Sequence, residues 1–229
     1  MNRAARSQGH GLVATMPAMA TEEPAIITGC WQLSAGHHGP IDEEETLSAL
    51  AHHSRLGMST LDCGDIYTGV EARIGRFLGS YCPPALRAQV HVNTKFVPDL
   101  DSLELVDAGY VEATLRRSIR RLQINGPLDL VQFHWWEYGA GDFVKVAKLL
   151  ASMTSATVER PRLVRRMGIT NFDTASTAAM LQAGIPLATA QVQLSLFGAF
   201  GPQCRLHVVG KALCPVLIHT LAWRQTAGL

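Results

Sequence analysis

The sequence predicts an α/β fold in which a parallel sheet is covered by helices. Short apolar segments recur along the chain and indicate strands at residues 25–30, 59–63, 90–95, 128–134, 163–169 and 188–192. A longer amphipathic segment separates each of them from the next, and this alternation is typical of strand–helix–strand units. The first strand is not followed by a Gly-x-Gly-x-x-Gly turn, which favours a closed barrel over an open dinucleotide-binding sheet.

The predicted strands are almost continuously apolar, as expected when both faces of a sheet are covered. Residues 25–30 are predicted to form a buried strand at the start of the fold. Residues 215–218 are a candidate seventh strand, and no later segment is predicted to form an eighth. A barrel built from this chain is therefore expected to be incomplete at its C-terminal end.

Five amphipathic segments predict the helices between these strands. The first opens with acidic residues at 42–45, where the helix dipole favours negative charge, and is expected to end at Gly57. The second is predicted to cover residues 70–78 and to end at Gly79. The other three are predicted at residues 110–122, 143–153 and 173–183.

Composition and charge exclude several classes of protein. The 229 residues are 47% hydrophobic and 17% charged, with a net charge of +1, which predicts a globular domain without nucleic acid or a membrane surface as partner. The five cysteines form no Cys-x-x-Cys pair, and no His or Cys cluster has the spacing of metal ligands, so no metal site is expected.

The first 24 residues differ in character from the rest of the chain. Arg3 and Arg6 are the only charged residues before Glu22. We expect a disordered tail over residues 1–24, with a weak organelle-targeting peptide as the alternative. A cytoplasmic location is expected if the tail carries no such address.

Polar residues recur at the C-terminal ends of the predicted strands. They are Asp62, Lys95, His134, Thr170 with Asn171, and Gln191. In a parallel barrel these strand ends gather on one face, which is where such folds carry their chemistry. One polar strand end has many ordinary explanations, but five of them on one face predict a functional site.

The residue types in this set suit the reduction of a carbonyl group. Tyr67 follows Asp62 by five residues, on the loop that leaves the same strand. The ammonium of Lys95 is expected to lower the pKa of the Tyr67 hydroxyl, and Asp62 is expected to keep Lys95 charged. His134 is expected to orient and polarise a carbonyl oxygen. The set therefore predicts a proton donor for a carbonyl oxygen that accepts a hydride at carbon.

Five segments of the chain resemble motifs of the aldo-keto reductase family, in the family's order and spacing. Residues 61–71, Leu-Asp-Cys-Gly-Asp-Ile-Tyr-Thr-Gly-Val-Glu, are similar to the family signature of an Asp followed by Tyr and Glu. The other four resemble the family's third-strand lysine, fourth-strand histidine, Ile-Gly-x-Ser-Asn-Phe and sixth-strand glutamine motifs. They lie at residues 93–95, 129–136, 165–172 and 191–193.

This resemblance implies a (β/α)8 TIM barrel that reduces aldehydes or ketones with NADPH, NADH being the alternative cofactor. It implies a catalytic tetrad, in which Tyr67 is the general acid, Lys95 and Asp62 tune it, and His134 orients the carbonyl. Contacts to the nicotinamide carboxamide are implied for Thr170, Asn171 and Gln191, and walls of a substrate pocket for Trp31, Trp135 and Trp136. The implied partner is a small carbonyl compound, and the oligomeric state is left open.

The resemblance covers residues 25–196, the predicted barrel with strands one to six, and is lost in residues 197–229. Its abrupt loss favours an altered reading frame or splice product over a genuinely shortened protein. The missing part would carry most groups that hold the cofactor's phosphates. A non-catalytic cofactor-binding or regulatory protein of this fold, or an inactive truncated form, is therefore the alternative to an enzyme.

Overall fold

Seven parallel strands form a single sheet in a computed structural model that describes residues 26–35, 40–194 and 216–220. The strands pair in chain order from β1 to β7, each with the strand before it. They are β1 (Thr28–Gly29), β2 (Thr60–Asp62), β3 (His91–Phe96), β4 (Leu128–Phe133), β5 (Val164–Thr170), β6 (Leu187–Leu194) and β7 (Val216–Thr220). The predicted parallel α/β fold and its seventh strand are thus confirmed, whereas the prediction about an eighth strand lies outside the described residues.

Helices connect the strands. They are α1 (Glu43–Arg55), α2 (Val70–Arg76), α3 (Pro84–Arg87), α4 (Ala108–Arg121), α5 (Phe143–Ser152) and α6 (Thr174–Gln182). Four of them begin directly after an aspartate whose side chain accepts a hydrogen bond from a backbone N–H in the first turn, which satisfies a donor that the helix itself leaves free. These capping residues are Asp42, Asp107, Asp142 and Asp173.

Two predicted elements differ in the structure. The first strand is confined to Thr28–Gly29, and Ile26 is 61% exposed, so the described part of the predicted buried strand is shorter and more exposed than expected. This strand lies at one edge of the described sheet, where only one side has a partner. The second helix does not end at Gly79, because the α-helix gives way after Arg76 to a wider π-helical turn over Phe77–Tyr81.

The outer helices pack on the sheet through apolar faces of helical period. On α4 the buried residues include Val111 and Leu115, one turn apart, and Leu122 just after the helix. Helices α2 and α4 approach so closely that a Cβ on Gly75 would lie 2.1 Å from the carbonyl oxygen of Arg121. A residue with a side chain therefore does not fit at position 75 without movement of α4.

The parallel order places the C-terminal ends of β2 to β6 side by side. Asp62, Lys95, Thr170 and Gln191 all lie at or near those ends, and His134 directly follows β4. No helix in the described part of the chain has the length and hydropathy needed to cross a membrane.

Candidate active site

A buried ion pair forms the centre of the candidate site. The Lys95 Nζ donates a hydrogen bond of 2.7 Å to Asp62 Oδ2 and another of 2.7 Å to the carbonyl oxygen of Cys63. The two side chains are 7% and 4% exposed. Burial lowers the pKa of Lys95, but the Asp62 carboxylate and Tyr67 raise it, and the net pKa lies above its ordinary value. Lys95 is therefore a fixed positive charge at neutral pH.

Tyr67 lies over this pair on the loop that follows β2. The Lys95 Nζ is 5.2 Å from the centre of the Tyr67 ring. Gly64 makes room for the ring, because a Cβ there would lie 3.2 Å from the ring carbon that carries the hydroxyl. The sequence therefore places Tyr67 and Lys95 together correctly.

The expected direction of the Tyr67 pKa is wrong. Burial raises the pKa of Tyr67, and although Lys95 lowers it, Asp62 raises it again, so that the net pKa lies above the ordinary value. The sequence shows the neighbouring cation but not the loss of solvent around the hydroxyl. Tyr67 is consequently a protonated phenol at neutral pH and can donate its proton.

His134 is held by its backbone and by one ring nitrogen. Its Nδ1 lies 3.2 Å from the carbonyl oxygen of Thr170, which can only accept, so Nδ1 carries the hydrogen. Burial lowers the pKa of His134, and Lys95 lowers it further, while the hydrogen bond to Thr170 opposes them. The ring is therefore neutral, and its Nε2 is a hydrogen-bond acceptor. In this state His134 does not donate to a carbonyl oxygen as its expected polarising role requires.

Three polar residues, at the end of β5, directly after it and in β6, form one connected group. Thr170 Oγ1 donates to Gln191 Oε1 at 3.1 Å, and Gln191 Nε2 donates to Asp62 Oδ2 at 3.2 Å. The backbone N–H of Asn171 donates to the carbonyl oxygen of Gln191 at 2.9 Å, and Asn171 has a φ of 60°, in the left-handed region. The structure thus joins this group to the Asp62–Lys95 pair.

A cavity of about 250 Å³ opens above these residues. Three of the four tetrad residues line it, and Asp62 does not. The polar group at the end of β5 and in β6 and two tryptophans are also part of the lining. The lining is Trp31, Ile66, Tyr67, Lys95, Val97, His134, Trp136, Thr170, Asn171 and Gln191. The walls are thus mixed, with apolar rings on one part and amide or hydroxyl groups on another.

Trp135 does not belong to this cavity, contrary to the prediction. It is 2% exposed and its Nε1 donates to the carbonyl oxygens of Glu137 and Ala140. Trp136 points the other way, is 50% exposed, and packs edge-on against His134 with 4.7 Å between ring centres. Both residues lie in the loop that follows β4, and of the two only Trp136 lines the cavity.

Two polar residues near the site were missed by sequence reasoning. Gln132 lies within β4 and donates from Nε2 to Asp62 Oδ1 at 2.8 Å. Asp65 lies between Asp62 and Tyr67, and its Oδ2 accepts a 3.3 Å hydrogen bond from the backbone N–H of Val97. A glutamine between two apolar residues of a strand and a second aspartate in one motif were the available signals.

The fold has counterparts in known proteins. The sequence model of the Aldo/keto reductase family matches residues 25–208 of this chain. The chain belongs to the aldo-keto reductase family. The match extends past Leu196, the last residue of the motif resemblance, into the following segment.

One curated relative and several solved structures give the range of similarity. Flagellar radial spoke protein 5 of Chlamydomonas reinhardtii is 26% identical over 157 residues, which cover 57% of this chain and 30% of that protein. A thermostable aldo-keto reductase in complex with the inhibitor epalrestat is 21% identical with a TM-score of 0.60, over 76% of this chain and 60% of that one.

Two further aldo-keto reductase structures resemble the chain to the same extent. The aldo-keto reductase of the silkworm, Bombyx mori, is 22% identical with a TM-score of 0.58, over 74% of this chain and 52% of that one. The aldose reductase of Schistosoma japonicum is 20% identical with a TM-score of 0.57, over 75% of this chain and 57% of that one. Identities this low show the fold alone. The chain spans little more than half the length of these structures.

Proposed function

We propose that this aldo-keto reductase reduces an aldehyde or ketone to the alcohol with NADPH as hydride source. The observation that carries the proposal is the assembly of Tyr67, Lys95 and Asp62 below a cavity whose other wall holds Thr170 and Gln191. A protonated phenol, a fixed cation beneath it and amide groups within one cavity are the parts that carbonyl reduction requires. The substrate is a small carbonyl compound of a size that this cavity admits.

Tyr67 supplies the proton. As hydride reaches the carbonyl carbon, the carbon–oxygen double bond becomes single and the oxygen takes the proton from the Tyr67 hydroxyl. The phenolate left behind is stabilised by the Lys95 ammonium, whose own charge is held by Asp62. The raised pKa of Tyr67 keeps the proton in place until the oxygen has gained negative charge.

His134 acts as an acceptor in this scheme. Its Nδ1–H is engaged with Thr170, so Nε2 is free to accept a hydrogen bond from the hydroxyl of the alcohol. Proton donation is therefore assigned to Tyr67 alone. His134 and the edge-on ring of Trp136 set the shape of the wall against which the carbonyl lies.

Thr170, Asn171 and Gln191 are the residues that would hold the nicotinamide carboxamide. They are polar, lie together on one side of the cavity, and include both donors and acceptors, which fits an amide that needs both. The bound cofactor would supply the hydride. NADPH is proposed ahead of NADH on the family resemblance, and both belong in the assay.

Tyr67→Phe tests this function. The variant keeps the ring and its packing but removes the proton donor, so we expect turnover of a generic aldehyde to fall by about two to four orders of magnitude. NADPH oxidation followed by absorbance measures it. Tyr81→Phe is the matched control, because Tyr81 lies outside the cavity, and it should keep the wild-type rate. Equal rates for wild type and Tyr67→Phe would refute the assignment.

The second candidate is a non-catalytic cofactor-binding protein, or an inactive form, of the same fold. The similarity to a radial spoke protein, named for a flagellar structure, favours it. A chain that binds NADPH but oxidises none of it with any carbonyl compound tested would support this alternative. The buried, fully assembled ion pair favours the enzyme instead, because a binding role does not need it.

A further inference from the structure

The two oxygens of Asp62 have different partners. Oδ2 accepts from Lys95 Nζ and from Gln191 Nε2. On Oδ1, the hydrogen bond found within the described residues comes from Gln132 Nε2 at 2.8 Å. Gln132 is 0% exposed, so water cannot replace this donor. The orientation of the carboxylate toward Lys95 therefore depends on Gln132 at its other end.

The sheet fixes Gln132 in this position. Its register partner on β3 is Lys95 and its register partner on β5 is Gly168. Paired residues of neighbouring strands point to the same face of a sheet, so Gln132 and Lys95 both point inward and both reach Asp62 on β2. Lys95 and Gln132 thus hold the two oxygens of one carboxylate from adjacent strands.

Gln191 is a less permanent donor to Asp62 than Gln132. Its amide is shared between Asp62 and Thr170 and it lies on the cavity wall, where the proposed nicotinamide would compete for it. Gln132 does not line the cavity, so a ligand does not reach it. When Gln191 turns toward a ligand, Gln132 and Lys95 remain on Asp62.

We propose that Gln132 is a positioning residue that keeps the Asp62 carboxylate aimed at Lys95, and through Lys95 places the positive charge that supports proton donation by Tyr67. This inference rests on the proposed reductase function for its catalytic consequence. The hydrogen-bond geometry of Gln132 is independent of the proposed function and can be measured in the protein without substrate.

A packing role does not account for Gln132. Its Oε1 is buried and finds no hydrogen-bond partner among the described residues. An unpaired buried acceptor is unfavourable, and an apolar side chain of the same length would avoid it. The feature of glutamine that the structure uses is the Nε2 donor to Asp62.

Gln132→Met and Thr189→Val form a matched pair of variants. Met keeps the length of the side chain and removes the donor to Asp62. Thr189 is 1% exposed on the neighbouring part of the sheet, and its hydroxyl also has no partner among the described residues. Valine keeps the shape of the threonine side chain and removes its hydroxyl. Both substitutions thus remove a buried polar group, but only the first removes a partner of Asp62.

The first readout is the side-chain ammonium signal of Lys95 in protein labelled with ¹⁵N-lysine, assigned by its loss in Lys95→Met. An ammonium buried in hydrogen bonds exchanges slowly with water. We expect exchange about tenfold faster in Gln132→Met and unchanged in Thr189→Val, since losing a hydrogen bond to a charged group is worth about a factor of ten or more. An unchanged Lys95 signal in a folded Gln132→Met would overturn the proposal.

The second readout is turnover. In Gln132→Met we expect kcat to fall by about tenfold with little change in KM for the cofactor, because the lost donor orients Asp62 and does not touch the ligand. If wild type shows no turnover, the proposed function fails while the Lys95 signal still decides the role of Gln132. A tenfold loss in Thr189→Val as well would assign the effect to packing and reject the positioning role.

Gln132→Glu covers the case in which Gln132→Met does not fold. A glutamate at this position donates to Asp62 only when it is protonated, as in carboxyl pairs that share a proton. Its defect in the Lys95 signal and in kcat should therefore shrink as the pH is lowered. A defect that is equally large at low and high pH would contradict the proposal.

Discussion

Charged side chains are buried at one end of the parallel strands and partly exposed at the other. At the C-terminal ends, Lys95 and Asp62 are 7% and 4% exposed and form hydrogen bonds of 2.7 to 3.2 Å with their neighbours. At the N-terminal ends, Asp129 joins His91 and Arg165 at 3.7 and 3.3 Å, with side chains 28%, 59% and 56% exposed. Both clusters span adjacent strands, but only one of them is removed from water.

The difference indicates which cluster serves function. An exposed ion pair contributes little to stability, whereas a buried pair has a large desolvation cost that the attraction between its charges barely offsets. A fold that needed only stability would not place Lys95 and Asp62 in its interior. The cluster at the N-terminal ends therefore lies at the surface, and the buried cluster at the C-terminal ends fits the proposed chemistry, which requires a fixed charge removed from water.

Lys95→Met gives the largest expected effect. It leaves the Asp62 carboxylate buried without its cation, and we expect a loss of about 3–5 kcal/mol in the free energy of unfolding. Urea unfolding of the wild type and the variant, followed by circular dichroism, measures this loss.

The matched control is Asp129→Asn at the other end of the strands. Asparagine retains an oxygen for the backbone N–H of Val92, so only the charge contacts with the half-exposed side chains of Arg165 and His91 are altered. We expect a change below about 1 kcal/mol. Similar losses for the two variants would remove the distinction between the two ends of the sheet.

Asp65→Asn is expected to change how stability depends on pH. Burial raises the pKa of Asp65 from 3.8 to about 7, with Val97 and Arg117 opposing the shift and Glu71 adding to it. The folded protein thus binds this proton more tightly than the unfolded chain. The buried carboxyl group therefore does not lower the free energy of unfolding below about pH 4, and it lowers it progressively as the pH rises from 4 to 7.

The penalty at pH 8 is at most about 4 kcal/mol, at about 1.4 kcal/mol per pKa unit. The asparagine variant does not titrate, and its amide oxygen can still accept from Val97. It should therefore gain stability relative to wild type between pH 5 and pH 8. Parallel pH profiles of the melting temperature would show that Asp65 is not a protonated group near neutral pH.

Much of the fold and of the site could be predicted from the sequence. Strand and helix segments from 59 to 192 follow periodicity that any outer helix and covered parallel strand must show, and the capping aspartates mark helix starts. The convergence of Asp62, Lys95, His134 and Gln191 follows from their places at strand ends. These features depend on local sequence and on the topology of a parallel sheet.

The rest depended on three-dimensional surroundings that spacing does not reveal. The pKa of Tyr67 rises because burial outweighs the nearby cation, and burial is a property of the packed loop. Trp135 and Trp136 are adjacent and alike in sequence, yet one packs in the core and the other lines the cavity. The apolar neighbours of Gln132 mark it as unusual, but only the three-dimensional arrangement of β4 beside Lys95 shows that its partner is Asp62.

A thermal melt with and without saturating NADPH tests most directly whether the strand ends of this chain form a cofactor-dependent active site. Ligand at about 100 times its dissociation constant adds about 2.7 kcal/mol to the folded state. For a chain of this size that corresponds to a rise in melting temperature of roughly 5 to 10 °C. We expect a cooperative melt that shifts by this amount, whereas a melting temperature that does not change with NADPH would contradict a cofactor site at these strand ends.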